Sequence, residues 1–95
     1  MRKNLILFIL DDDLKQEILE MRKYKQFTAI IEREGNGYVS LCPELDIASQ
    51  GDSVEEARIN LAEALELFFE HASESEIKER LHDEIFITRL EVAVA

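Results

Sequence analysis

Tryptophan is absent from this 95-residue sequence, cysteine and proline occur once each, glycine occurs three times, and eleven basic side chains stand against twenty-one acidic ones. Each shortage closes off a class of protein. A lone cysteine, Cys42, makes neither an internal disulfide framework nor a thiolate cluster for zinc, and it suits a reducing cytoplasm. A formal charge of -10 repels phosphate backbones, so unaided binding to DNA or RNA is not expected and a basic partner fits better. The longest apolar run, residues 5–10, falls well short of the roughly 20 residues a membrane span needs. Asp11-Asp12-Asp13 follows that run, with no small-residue cleavage site of the secretory kind.

Hydrophobic residues make up 46% of the chain, and the scarcity of glycine and proline marks it as globular, yet few aromatics leave a modest core volume. A single domain of this length is near the lower limit for folding without disulfides or metal, and oligomerisation, with a homodimer as its simplest form, is the expected remedy.

The chain is organised around residues 51–72. Ser53 followed three residues later by Glu56 has the spacing of a capping box at a helix start. Beyond it Val54, Ala57, Leu61, Ala64, Leu65, Phe68 and Ala72 recur at three- and four-residue intervals, with Glu55, Arg58, Glu63, Glu66 and Glu70 elsewhere. Such a helix has one apolar face to cover. Phe27, Ala29 and Ile31 alternate with Thr28, Ile30 and Glu32, and Gly35-Asn36-Gly37 predicts a tight hairpin turn into an antiparallel strand over residues 38–42. Pro43 ends that pairing, residues 44–46 form a loop, and residues 47–50 make a short third strand. The polar stretch 73–83 reads as a short helix or ordered loop. Residues 84–95 read as a final strand, with Phe86, Thr88, Leu90, Val92 and Val94 on one side and Ile85, Ile87, Arg89, Glu91 and Ala93 on the other. The expected fold is therefore α+β: a three-stranded antiparallel meander, one long amphipathic helix packed on it, and a C-terminal strand.

Residues 1–20 read as an N-terminal extension. Two readings stay open for it: a strand over the apolar hexamer and a helix through Leu14, Ile18, Leu19 and Met21, or a segment arising from an upstream start, with Met21 as the ordinary one.

Five segments in their order resemble the HicB-type antitoxin domain of prokaryotes: Phe27-Thr28-Ala29-Ile30-Ile31-Glu32, Gly37-Tyr38-Val39-Ser40, Cys42-Pro43-Glu44-Leu45, residues 49–57 and residues 60–67. The resemblance covers residues 21–72 well and places a HicB-like domain over residues 21–95. It implies a partial ribonuclease-H-like fold without nuclease activity, and a role in masking a small basic HicA-type toxin that cleaves mRNA. Many members carry a C-terminal DNA-binding domain; the expectation here is the short form, without one.

Rival chemistries are weaker on the residues. Glu32, Glu34, Glu63 and Glu91 could form a metal-dependent nuclease cluster only by converging, and Glu63 lies off the apolar stripe that should face the sheet. Cys42 lacks a His and Asn pattern for a nucleophile, and His71 and His82 are badly spaced for a metal pair. Neither the Gly35 turn nor the Gly51 turn suits a phosphate. The expectation is an antitoxin, not an enzyme, with no cofactor and no metal. Its acidic surface and sheet edge would cover the toxin, with Glu32, Glu34, Glu44 and Asp46 gathered at one end of the sheet as the electrostatic contacts. A stand-alone structural or ligand-sensing module is the alternative.

Overall fold

A computed structural model describes residues 11–21 and 24–95. The elements are α1 (Asp12–Met21), β1 (Ile30–Glu34), β2 (Gly37–Cys42), β3 (Ile47–Gly51), α2 (Val54–His71) and α3 (Glu74–Arg80). The class is α+β, with a three-stranded antiparallel sheet in the order β1-β2-β3 and the long helix α2 packed against it.

Local chemistry sets each boundary. Asp11 opens α1, its carboxylate accepting from the Leu14 N–H at 2.8 Å. The apolar hexamer before it lies outside the described residues. The β1–β2 hairpin closes through Gly35 and Asn36, with Glu34 opposite Gly37. Gly35 has φ +60, the left-handed region that favours glycine, at the first central position of the turn. Ser53 caps α2 by accepting from the Glu56 N–H, and Glu56 accepts in return from the Asp52 N–H at 3.2 Å, one residue earlier than the usual capping box. Gly51 is there for space: a Cβ would meet the Ala57 nitrogen at 2.5 Å, so the glycine lets the helix start lie against the end of β3. The polar stretch after α2 resolves as the helix α3, opened by a full capping box from Ser73 and Glu76.

The register decides which side chains meet the helix. Ile31, Ser40 and Ser49 lie across from one another on one face, and Ser40 is buried with its hydroxyl donating to the Ala57 carbonyl at 2.8 Å. That face carries α2. Cys42, Leu45 and Leu61 form the buried centre, with Phe27, Ile47, Leu65, Phe68 and Leu81 packed around it. The opposite face presents Ile30, Leu41 and Ala48 in a cross-strand row, all of them exposed, beside Glu32 and Gln50.

The expected fourth strand is not formed among the described residues. Residues 84–95 follow α3 without entering any ladder. Phe86 is 82% exposed, Leu90 84% and Val94 88%. Alternation and β-branching supply strand propensity, but a strand exists only where another edge accepts its N–H and C=O groups.

Candidate partner-binding surface

The four carboxylates anticipated as one cluster fall into two groups. Glu34 flanks the β1–β2 turn, whereas Glu44 and Asp46 belong to the β2–β3 turn, and the six residues of β2 separate the two turns. At about 3.3 Å per residue that is roughly 17 Å. The reason is topological: successive tight turns of a meander lie at alternate ends of the sheet. Glu32 and Glu34 share the face away from α2 and are exposed.

Glu44 has a structural job. Its Oε2 accepts from the Thr28 backbone N–H at 2.9 Å and from the Thr28 hydroxyl at 2.8 Å, while the Cys42 thiol donates to Oε1 at 3.5 Å. Partial burial pushes its pKa up, but the hydrogen bonds from Thr28, from its own backbone N–H and from Cys42 together outweigh that and hold the carboxyl below its ordinary value. Its backbone carbonyl also accepts from the His82 N–H at 2.7 Å. Glu44 thereby ties the approach to β1, the β2–β3 turn and the end of α3 together. Asp46 is exposed in a left-handed conformation, φ 54, and its carbonyl accepts from Arg80. The Arg80 Nε also donates to the carbonyl of the fully buried Leu45 at 2.9 Å.

A different acidic grouping forms at the hairpin end. An open cleft of about 520 Å³ is lined by Glu34, Asp52 and Glu56 together with Tyr38, Gln50 and Asn60, and no basic side chain among the described residues lines it. Glu34 was anticipated here. Asp52 and Glu56 belong to the start of α2, and their approach to Glu34 depends on how the end of β3 meets the turn after β1. The cleft is open, negatively lined and suited to cationic side chains from a partner.

The imagined nuclease cluster does not assemble. Glu32 and Glu34 lie on the face away from α2, Glu63 is exposed on α2, and Glu91 is on the exposed tail. Among the described residues no group of three or more His, Cys, Asp or Glu side chains could hold a metal ion. Cys42 is fully buried; desolvation pushes its thiol up, with Glu44 adding to the effect, so it is a packing residue. His71 sits in the last turn of α2, exposed. No helix among the described residues is long and apolar enough to cross a membrane.

No protein-family model, curated protein or solved structure matches the chain.

Proposed function

We propose that this protein is an antitoxin of the HicB type, a cytoplasmic, non-catalytic inhibitor that binds and neutralises a small basic mRNA-cleaving toxin. The observation that carries the reading is the acidic surface: a chain of charge -10 whose open cleft is lined by Glu34, Asp52 and Glu56, with Glu32 two residues before Glu34 on β1. The meander with one helix on it agrees with the ordered segments that resemble the HicB domain, and the finer assignment as a partial ribonuclease-H-like fold belongs to the same proposal. The mechanism is masking. Opposite charge speeds the encounter, and the buried centre of the interface sets the off-rate.

Within the anticipated set, Glu32 and Glu34 are the contacts at the cleft end and Asp46 an outlying one, while Glu44 acts through the fold. Co-expression with any small basic protein whose reading frame adjoins that of this chain is the direct test. The toxin should co-purify and lose its RNA-cleaving activity, and Glu34→Lys combined with Asp52→Lys should slow association by tenfold or more at low salt. A neighbouring basic protein that neither co-purifies nor loses activity sinks the proposal.

A further inference from the structure

We infer that residues 84–95 are an exchanged strand, which pairs with the free edge of β1 in a second copy of this chain. The inference stands apart from the proposed function and holds or falls without it.

The tail carries the pattern of a strand and has no ladder. Phe86, Leu90, Val92 and Val94 are between 69% and 88% exposed, a degree of apolar exposure found nowhere in β1, β2 or β3. Its root is fixed. Leu81 packs on the core, the His82 N–H donates to the Glu44 carbonyl at 2.7 Å, and the Asp83 carboxylate pairs with Lys25 at 2.8 Å. Beyond that root the tail joins none of the described strands.

The sheet has two edges, and they differ. A two-residue turn makes Glu34 and Gly37 a hydrogen-bonded pair, so Ile30 and Glu32 also bond to β2, and Ile31 and Arg33 direct their N–H and C=O groups outward. The same alternation carried across β2 turns Ala48 and Gln50 outward on β3. There the Gln50 carbonyl is already capped by the Asn60 side chain at 2.7 Å, and α2 lies against β3 more than against either other strand. Among the described residues β1 is the open edge. On the helix side beyond it, Phe69 is 38% exposed while its ring lies 5.5 Å from that of Phe27, just ahead of β1.

One added strand answers all of these features. The apolar row Phe86, Leu90, Val92 and Val94 would extend the core over Phe69, and the alternate row would bring Arg89 alongside Glu32 and Glu34. At about 3.3 Å per residue, ten tail residues reach roughly 33 Å, ample for the length of β1. Charge permits the same chain as occupant: residues 85–95 carry one arginine and one glutamate, a neutral segment in a chain of charge -10. A two-fold exchange satisfies both copies at once and leaves no further edge of this kind open.

The test is mass measurement by light scattering on the full chain, with two variants. Wild type should weigh twice the 11.0 kDa of one chain. Leu90→Pro combined with Glu91→Pro removes tail N–H donors of both parities, and Arg33→Pro removes an outward donor on β1 without touching the β1–β2 ladder. Each variant should run at single-chain mass while keeping the helical circular-dichroism signal of α2. In a dimer mixed from isotope-labelled and unlabelled chains, nuclear Overhauser contacts between residues 84–95 and β1 should cross from one label to the other. A wild type of single-chain mass at several hundred micromolar overturns the inference. So does a tail variant that stays double, or tail-to-β1 contacts confined within one label.

Discussion

The tail of residues 84–95 is more continuously apolar than the sheet-and-helix unit of residues 30–82, yet it is the unit that is buried and the tail that is exposed. Leu45, in a turn, is fully buried, whereas Leu90, in the strand-like alternation, is 84% exposed. The difference is in the backbone. Around Leu45 the polar groups have partners: Arg80 donates to its carbonyl, and Glu44 takes the N–H and hydroxyl of Thr28. Among the described residues no buried side-chain nitrogen or oxygen lacks a partner. Apolar content drives burial only where the chain can first place its hydrogen-bonding groups, and the tail joins no edge of the described sheet.

The contrast is sharpest in the response to truncation. Leu45→Ala or Leu61→Ala should cost about 2–5 kcal/mol in chemical denaturation, because each empties a buried position. Phe86→Ala, a larger truncation, should change the stability of the single chain by no more than about 0.5 kcal/mol at low protein concentration. Equal losses at the two positions would mean that the tail is packed on its own chain.

Next in size is Gly51→Ala, expected at about 1–3 kcal/mol, since the added Cβ meets backbone of the α2 start that cannot rotate away. Ser40→Ala should cost about 0.5–1.5 kcal/mol through its buried bond to the Ala57 carbonyl. The smallest effect depends on pH. The Glu44 carboxyl is held below its ordinary value of 4.5 in the folded chain, so its contribution is present above that value and is lost as the pH falls through the lowered one. Wild type should therefore lose more stability than Glu44→Gln between neutral and acidic pH, measured by urea titration at each pH. Identical slopes for the two would remove Glu44 from its tying role.

Much of the fold was legible along the chain. Ser53 and the spacing of Ala57, Leu61, Leu65 and Phe68 announce α2, and the observed helix Val54–His71 falls inside the expected 51–72. The alternation from Phe27 and the glycine at 35 announce the hairpin, though the ladder begins only at Ile30, because the Thr28 N–H bonds to Glu44 instead of joining it. The candidate surface was less legible. Glu44 looked like any acidic loop residue, and nothing local says that Thr28, sixteen residues away, will occupy its carboxylate. Asp52 and Glu56 carried a helix-start signal that hid their place beside Glu34.

Local chemistry in the residue order was enough for the helix, the hairpin, the absence of disulfide or zinc-thiolate staples and the negative charge, since each depends on neighbours within a few positions or on composition alone. Only the packed chain settled which carboxylates stand free, which edge of the described sheet is open and that the final alternating segment joins none of the described strands. Those outcomes depend on groups far apart in the chain competing for the same hydrogen bonds and the same apolar surface, and no local pattern records who wins.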